Sequence, residues 1–332
     1  VSYKYIEMPF REINWSKVQW RTIAKGIFLL LFCGTGLFIF ESPLKGKLYL
    51  GNNDIKINKN WIDKISSANT KINGKDCNAT LFYSDQKLNN LIENCKINNP
   101  VNLKERTIAF VGDSHTLAMM DSQKMIYKEG NNLIHYSFNG CPFPYPINGI
   151  YPSKCNSFLK LITDKVLKDL KKGDFIVINN YDLTYLGDKK TKDVRHHFYD
   201  KHGNLTINKD EKFKIYTNSL IEFSNKADIK GIEVIFIGSG MRNLNPILSY
   251  PQWFRPFPKN NLNKENKISK SLNNSLKNKL RNINNITFID PLEIIACCED
   301  IKSYFKFYRD ADHLSNKGSE VLTKEIISII NK

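Results

Sequence analysis

The sequence lacks any cluster of basic residues, although 49 Lys and Arg against 33 Asp and Glu give it a net charge of +16. Clustered Lys and Arg raise the local concentration of polyanions, which is how a nucleic-acid-binding surface works. Here the lysines are scattered among many asparagines, as in segments 56–60 and 261–274, without a basic groove interleaved with aromatic residues. We therefore expect a solvated basic surface and no nucleic-acid partner.

The apolar run Ile23–Phe40 lacks the features of a signal peptide or of a core helix. A signal peptide ends in a small-residue cleavage site, whereas residues 41–43 are Glu, Ser and Pro. A buried core helix carries a polar stripe, and the sequence from Ile27 to Phe40 has none. At about 1.5 Å per residue, the run can just span a bilayer core of about 30 Å. It therefore predicts a transmembrane helix over residues 23–40.

The charges beside this run predict its orientation. Several basic residues precede it, and the positive-inside rule places such an end in the cytoplasm. We therefore expect everything after Glu41 to lie outside the cytoplasm. The basic residues are Lys4, Arg11, Lys17, Arg21 and Lys25.

The cysteines lack the CxxC spacing and the accompanying paired histidines of a zinc site, so we expect no metal. One of the seven, Cys33, lies in the apolar run, and an even number in the exported part suggests disulfides. Those six are Cys77, Cys95, Cys141, Cys155, Cys297 and Cys298. Proximity in sequence favours a pairing of Cys77 with Cys95 and of Cys141 with Cys155. A direct bridge between the adjacent last two would be strained, so a pairing that crosses between these sets remains open.

After a polar, Asn- and Lys-rich stretch that ends near Pro100, strand-like and helix-like segments alternate, with no internal repeat. In the polar stretch, Trp61 and segment 77–95 are expected to form a small appended unit. Beyond it, β-branched or aromatic runs predict strands at 107–111, 133–138, 174–178, 233–237 and 286–289. Amphipathic stretches predict helices at 116–127, 157–170, 212–227, 264–280 and 316–330. The alternation predicts an α/β fold whose central parallel sheet is covered by helices on both faces, with the active site at the carboxyl ends of the strands.

A candidate nucleophile, Ser114, follows the first of these strands. Residues 110–115 read Phe-Val-Gly-Asp-Ser-His, and a helix pattern begins directly after them. The serine hydroxyl can therefore project from the carboxyl edge of the sheet, where helix-start N–H groups can stabilise a developing oxyanion. A plainer alternative is that Asp113 or Ser114 only caps the helix. His115 is a poor base for Ser114, because adjacent residues at a helix start point in different directions.

A candidate base and its carboxylate lie near the carboxyl end, in segment 308–315 (Tyr-Arg-Asp-Ala-Asp-His-Leu-Ser). Asp310 and His313 are three residues apart on a loop that enters the last helix, with Ser315 as a plausible N-cap. One turn can bring the carboxylate to one imidazole nitrogen while the other faces Ser114. Serine needs this help because its hydroxyl is a weak nucleophile until a base takes the proton. Together the two segments predict a triad of Ser114, Asp310 and His313.

These segments resemble the first and last sequence blocks of the SGNH hydrolase superfamily, which are Gly-Asp-Ser and Asp-x-x-His. The resemblance covers roughly residues 105–332. It implies a three-layer, flavodoxin-like SGNH hydrolase fold with a nucleophilic serine. Asp312 competes with Asp310 for the third triad position, but the spacing in the family favours Asp310.

The same resemblance implies an oxyanion hole. The family takes a glycine and an asparagine from its middle blocks, which implies Gly140 and Asn180 beside Ser114. Gly140 lies in Ser-Phe-Asn-Gly-Cys-Pro after the second strand, and Asn180 follows the third strand. The usual Gly-x-Asn-Asp of the family is missing here, so Asn179 is equally available.

The amino end carries a second resemblance. Residues 2–11 (Ser-Tyr-Lys-Tyr-Ile-Glu-Met-Pro-Phe-Arg) are similar to the closing segment of the membrane acyltransferase-3 (AT3) family, which precedes a last helix and a fused SGNH domain. With no initiator methionine, the chain is then expected to be a fragment of a bacterial AT3/SGNH fusion. Its expected parts are the end of an AT3 domain (1–22), a transmembrane helix (23–40), a periplasmic linker (41–104) and the catalytic domain (105–332). An interfacial amphipathic segment is the alternative for residues 2–11.

The two resemblances imply an O-acyltransferase that acetylates a bacterial cell-envelope polysaccharide such as lipopolysaccharide O-antigen. The AT3 domain of the full-length chain, in the inner membrane, would deliver an acetyl group from acetyl-CoA, with no tightly bound cofactor. Ser114 would then pass the group to a sugar hydroxyl in the periplasm. The alternatives are a glycan O-acyl esterase with the same triad and a non-catalytic glycan-binding module, for which an eroded triad would be expected. Arg242 and Trp253 could contact a glycan.

Overall fold

The structure is a computed structural model in which two compact units are recognised, Val1–Lys59 with Ser249–Pro256 and Asn60–Leu248 with Phe257–Lys332. It describes residues 8, 19–44, 71–72, 75–79, 85–100, 106–144, 146, 149–150, 153–186, 198–200, 202, 204–206, 208–242, 262–297, 304, 306–310 and 312–332.

The described part of the first unit is essentially one helix, α1 (Gln19–Leu44). Large apolar side chains along it are exposed, among them Phe28, Leu30 and Phe38. Among the helices of the described ranges, only α1 is long and apolar enough to cross a membrane. Its candidate membrane-spanning segment is Trp20–Ile39. The helix expected over residues 23–40 is therefore present and extends beyond both predicted ends.

The second unit is an α/β domain. Its strands are β1 (Lys71–Ile72), β2 (Lys75–Asp76), β3 (Asn78–Ala79), β4 (Lys96–Ile97), β5 (Thr107–Gly112), β6 (Asn132–Phe138), β7 (Gly149–Ile150), β8 (Phe175–Asn179), β9 (Phe198–Asp200), β10 (Leu205–Thr206), β11 (Glu233–Ile237) and β12 (Ile286–Ile289). Its helices are α2 (Asp85–Asn94), α3 (Ser114–Ala118), α4 (Met120–Lys128), α5 (Ser153–Asp169), α6 (Asp182–Leu186), α7 (Lys209–Asp228), α8 (Leu262–Leu280), α9 (Pro291–Ile295) and α10 (Asn316–Ile330).

The predicted strands and helices are present, and β11, β12 and α10 have the predicted bounds. One prediction differs, because residues 116–127 belong to two helices, α3 and α4. Met119 separates them, since its N–H reaches back only to the Thr116 carbonyl and so closes a tighter turn.

The main sheet has the strand order β12-β11-β8-β5-β6, and these five strands are parallel. Chain order reverses at β5, which lies between β6 on one side and β8 on the other. This is the doubly wound order of flavodoxin-like folds, in which ligands bind outside the carboxyl ends of the strands at the reversal. The expected fold class, with a central parallel sheet, is confirmed. A ligand site is therefore expected at the carboxyl end of β5, directly before Ser114.

Helices cover both faces of this sheet. On one face, Ala109 and Val111 of β5 belong to a buried apolar cluster with side chains of α5, α7 and α8. Ile108 and Phe110, which point the other way because strand side chains alternate, are also fully buried. On that second face α4 and α10 pack against each other.

The segment around Cys77 and Cys95 differs from the small appended unit that its composition suggested. β3 and β4 both pair with the outer edge of β6, so the segment continues the main sheet. Leu91 and Ile92 of α2 join the buried cluster, and a disulfide links Cys77 to Cys95. The burial of these apolar side chains explains the incorporation, because a two-residue strand has no core of its own. Trp61 lies outside the described residues.

The disulfides agree with the pairing that sequence proximity favoured. Besides the bond just described, Cys141 bonds to Cys155, which joins the loop after β6 to α5. Cys33 in α1 is a free thiol. Cys297 is disulfide-bonded as well, and Cys298 lies outside the described residues.

Candidate active site

Ser114 is the first residue of α3, directly beyond the carboxyl end of β5. The turn between strand and helix depends on Gly112, whose φ is +151°. A Cβ at this position would lie 2.2 Å from the Asn179 carbonyl oxygen and 2.5 Å from Thr116 Oγ1. Because no side chain fits in that space, glycine is required here for the strand to end close against β8.

Asp113 is the helix cap, which leaves the Ser114 hydroxyl for other contacts. One carboxylate oxygen of Asp113 accepts the N–H of His115 at 2.8 Å. The other accepts the backbone N–H of Tyr181 at 2.9 Å and the hydroxyl of Tyr185 at 2.7 Å. The capping alternative thus applies to Asp113, and its fully buried carboxylate anchors the turn to the segment after β8.

The segment before α10 brings His313 to Ser114. His313 Nε2 lies 2.8 Å from Ser114 Oγ, across 199 residues of sequence. The segment is held by an antiparallel bridge between Tyr308 and Leu314 and by Ser315, whose hydroxyl accepts the N–H of Gly318 as the N-cap of α10. The segment that carries His313 is thereby held beside the end of β5.

Two carboxylates contact the other imidazole nitrogen. His313 Nδ1 lies 2.9 Å from Asp310 Oδ2 and 3.0 Å from Asp312 Oδ1. Asp310 Oδ1 also accepts the backbone N–H groups of Asp312 and His313, at 3.1 and 2.8 Å. Asp310 therefore fixes the loop as well as the ring, and the structure brings Ser114, His313 and Asp310 into the arrangement of a catalytic triad.

The carboxylates decide the protonation of His313. Burial alone would lower the pKa of His313, but hydrogen bonds and charge from Asp310 and Asp312 outweigh it and raise the pKa to about 9. Burial likewise opposes ionisation of the two aspartates, yet their contacts with His313 leave the pKa of each lowered. At neutral pH the site is therefore an imidazolium held by two carboxylates.

His115 lies beside His313, but its ring makes no hydrogen bond to Ser114 and so does not act as its base. Its ring stacks on Tyr181 and tilts against the ring of His313, with centroids 4.7 Å apart in both pairs. It is 7% exposed, its Nε2 has no hydrogen-bond partner, and burial lowers its pKa. His115 is accordingly a neutral ring that packs against the imidazolium.

The backbone supplies two candidate oxyanion donors. Within the described part of the chain, no hydrogen-bond acceptor contacts the N–H of Ser114 or of Gly140. Gly140 is buried and has a φ of +77°, a conformation that glycine adopts without strain. Both groups are thus available for an oxyanion.

The amide groups of the two candidate asparagines, Asn179 and Asn180, already donate hydrogen bonds to other groups. The amide nitrogen of Asn180 donates to the Phe143 carbonyl and to the Tyr216 hydroxyl, each at 2.7 Å, so both of its hydrogens are used. The amide nitrogen of Asn179 lies 3.1 Å from the His115 carbonyl. In this structure Asn180 binds the loop of Cys141–Pro144, and neither side chain offers a free donor.

Of the remaining candidates, Arg242 lies near the site. Its guanidinium carbon is 5.7 Å from the centre of the Tyr181 ring, on which His115 stacks. The sequence did not single out Tyr181, because a tyrosine after a strand carries no motif of its own. Trp253 lies outside the described residues.

One group of side chains could hold a metal ion. Ligand atoms of His115, Asp312 and His313 lie within 4.8 Å of one another, and the described ranges contain no second such group of three. Both ring nitrogens of His313 already have partners, the two carboxylates at Nδ1 and Ser114 Oγ at Nε2, so a metal would have to displace one of them.

The fold and this edge of the sheet define an SGNH-hydrolase-type α/β domain. A family model described as "SGNH domain (fused to AT3 domains)" matches residues 76–328. The chain therefore belongs to this family. No curated protein sequence matches significantly.

Solved structures of similar fold are distant in sequence. The chain is 13% identical to the periplasmic domain of a lipopolysaccharide acetyltransferase from Salmonella ser. Paratyphi A, with a TM-score of 0.48, covering 78% of this chain and 92% of that one. It is 15% identical to a putative acylhydrolase from Bacteroides fragilis (TM-score 0.43; 76% and 95% covered). It is 12% identical to a catalytic mutant of an acetylxylan esterase from Geobacillus stearothermophilus (TM-score 0.40; 68% and 94% covered).

Proposed function

We propose that this domain transfers an acyl group, in the first instance acetyl, through an ester on Ser114 to a hydroxyl of a bacterial cell-envelope polysaccharide. The observation that carries the proposal is the 2.8 Å contact between Ser114 Oγ and His313 Nε2, with Asp310 on Nδ1. Membership of a family of SGNH domains fused to AT3 domains supports transfer over hydrolysis.

In the first half of the reaction, neutral His313 takes the Ser114 proton at Nε2 while Oγ attacks the acyl carbonyl. The oxyanion that forms is stabilised by the backbone N–H groups of Ser114 and Gly140. Asp310 holds the ring and stabilises the imidazolium. When the tetrahedral intermediate collapses, His313 returns the proton to the leaving group and the acyl group remains on Ser114.

In the second half, the acceptor hydroxyl gives its proton to His313 and its oxygen attacks the Ser114 ester. Collapse releases the acylated sugar and returns the proton to Ser114. Water in place of the sugar would give hydrolysis, so a glycan O-acyl esterase is the second candidate. The same machinery serves both, because only the acceptor differs.

The proposed setting is supported by helix α1 and by the disulfides of the α/β domain. Helix α1 is long and apolar enough to cross the inner membrane, which would place the α/β domain in the periplasm. Disulfides at Cys77–Cys95 and Cys141–Cys155 are typical of an exported domain. The AT3 domain of the full-length chain would supply acetyl groups from acetyl-CoA.

The test uses the whole chain in detergent with p-nitrophenyl acetate as donor and purified O-antigen polysaccharide as acceptor. We expect new O-acetyl signals in the NMR spectrum of the polysaccharide, absent with Ser114→Ala and retained with Ser275→Ala, an exposed-serine control. Loss of existing O-acetyl groups without any gain would favour the esterase. Equal inertness of the wild type and Ser114→Ala, with polysaccharide still bound, would replace the proposal by a binding module.

A further inference from the structure

Asn180 binds both backbone groups of one residue in the loop after β6. Its Oδ1 accepts the N–H of Phe143 at 3.1 Å, and its Nδ2 donates to the carbonyl of the same residue at 2.7 Å. Both residues are buried, so water does not compete for these hydrogen bonds. The loop, residues 139–144, is therefore fixed to the end of β8 by a pair of hydrogen bonds from one side chain.

The amide nitrogen of Asn180 also binds helix α7. It donates to the Tyr216 hydroxyl at 2.7 Å, and this hydroxyl lies 3.4 Å from the Phe143 carbonyl oxygen. The Phe143 ring packs edge-on against Phe223, about two turns further along α7, with ring centroids 4.8 Å apart. Helix α7 therefore orients the amide of Asn180 and also holds the residue that this amide binds.

The same asparagine lies against the turn that carries the nucleophile. A Cβ at Gly112 would lie 2.9 Å from Asn180 Oδ1, so the amide packs directly on the backbone two residues before Ser114. On its other side the amide binds the loop that contains Gly140. Asn180 thus lies between the two segments whose N–H groups would form the oxyanion hole.

The loop that contains Gly140 is fixed at a second point as well. The N–H of Cys141 donates to the Phe138 carbonyl at 3.0 Å, which closes a turn around Gly140, and Cys141 is disulfide-bonded to Cys155 of α5. These contacts hold the start of the loop, whereas Asn180 holds its far end. Because glycine has no side chain, the position of the Gly140 N–H depends on the contacts of its neighbours.

We propose that Asn180 and Tyr216 are positioning residues for the oxyanion hole. Together they hold Phe143, and with it the loop that presents the Gly140 N–H, at a fixed distance from the Ser114 N–H. Asn180 acts through the backbone and does not itself donate to the oxyanion, since both of its amide hydrogens are used. The oxyanion forms only in the transition state, so these contacts affect kcat more than KM. This inference rests on the proposed serine chemistry.

Two variants separate positioning from direct donation. Asn180→Ala should lower kcat for p-nitrophenyl acetate by about 10- to 100-fold with little change in KM, because a displaced donor no longer meets the oxyanion. Tyr216→Phe keeps the pairing with Phe143 but leaves the Asn180 amide less firmly oriented, and should lower kcat by about three- to tenfold. In the double variant the two losses should not multiply, because both residues act through Phe143.

The controls are a buried asparagine and a buried tyrosine that make no contact with this loop. Asn285 precedes β12, at the opposite edge of the sheet, and its amide donates to the Ser224 and Ile232 carbonyls. The Tyr136 hydroxyl is buried and has no hydrogen-bond partner among the described residues. Asn285→Ala and Tyr136→Phe should leave kcat of the folded protein unchanged, with urea denaturation as the measure of folding.

The inhibition constant, Ki, of phenylboronic acid distinguishes positioning from a loss of folded protein. Its adduct with Ser114 is a tetrahedral anion that needs the same donors, so the Ki should rise in Asn180→Ala about as much as kcat falls. A purely structural role would reduce only the amount of active enzyme and leave this Ki unchanged, which would overturn the inference. Wild-type kcat in Tyr216→Phe beside a large loss in Asn180→Ala would also overturn it, because that pattern indicates a direct donor.

All measurements use the whole chain in detergent, and Asn180→Ser takes the place of Asn180→Ala if the latter does not fold. If the wild type has no turnover, the proposed function fails, and NMR still tests the positioning. The ¹⁵N–¹H signal of Gly140 should then move in Asn180→Ala and in Tyr216→Phe and stay in place in Asn285→Ala. A Gly140 signal that stays in place in the first two variants would overturn the inference.

Discussion

His313 and His135 occupy two regions of the same domain in which burial has opposite outcomes. His135 lies within β6, fully buried, with Nδ1 3.0 Å from the Gln123 amide and Nε2 3.0 Å from Ser137 Oγ. Its partners are uncharged, and burial lowers its pKa to about 3. His313 is also largely buried, but its partners are carboxylates and its pKa is raised to about 9. The partners, and not burial, therefore separate a structural histidine from one that can move a proton.

The largest effect is expected when the orienting carboxylate is removed. Asp310→Asn should lower kcat/KM for p-nitrophenyl acetate by about 10³- to 10⁴-fold, because the amide cannot hold the ring and stabilise the imidazolium. Stopped-flow or steady-state kinetics on the folded variant measure this. A loss below about tenfold would mean that Asp310 does not orient the base.

The pH dependence of the wild type should follow the raised pKa of His313. The base is active only when neutral, so kcat/KM should rise about tenfold for each pH unit below 9 and level off above it. For stability the sign is opposite, because a raised pKa stabilises the folded protein below pH 6.5 and this stabilisation is lost as pH rises through 9. The Ser114→Ala variant provides the background rate, and a profile flat from pH 6 to 9 would contradict the assignment.

Removing a partner of His135 should affect stability and leave catalysis unchanged. Ser137→Ala deletes the hydroxyl beside Nε2 in a fully buried place and should lower the free energy of unfolding by about 1–3 kcal/mol. Urea denaturation measures the loss, with the exposed Ser275→Ala as control. A drop in kcat/KM comparable to that of Asp310→Asn would show that the two regions are not independent.

The smallest effect is expected at the outer layer of the site. Arg242 lies over Tyr181, and such a partly exposed cation–π contact contributes about 0.5–1 kcal/mol. Arg242→Ala should therefore change kcat/KM for a small ester by less than about fivefold, whereas Arg242→Lys should change it less. A loss of more than about 100-fold with the small ester would place Arg242 in the reaction itself.

The sequence was most informative where a local pattern determines the structure. The Gly-Asp-Ser turn needs Gly112 at a close contact, and Asp310 reaches His313 within one turn, so both segments could be recognised before the fold was known. In strand β11, residues 234–237 are a continuous apolar run, which predicts a buried parallel strand.

Other features depend on contacts between distant segments, which no local pattern records. Asn180 binds Phe143, 37 residues away, although its position after a strand resembled that of an oxyanion donor. The two-residue strands β3 and β4 have no periodicity and join the sheet through β6. The second contact of His313 with Asp312 arises from the conformation of the loop, since spacing alone favoured Asp310.

The most direct test of the central claim is to locate the acyl group. The whole chain is mixed with p-nitrophenyl acetate, stopped in acid and digested, and the peptide that contains residues 107–119 is analysed by mass spectrometry. We expect one acetyl group on Ser114 in the wild type, its absence in Ser114→Ala, and much slower formation in His313→Ala. Ester cleavage that continues unchanged in Ser114→Ala, without an acetyl group on this peptide in any variant, would contradict the account.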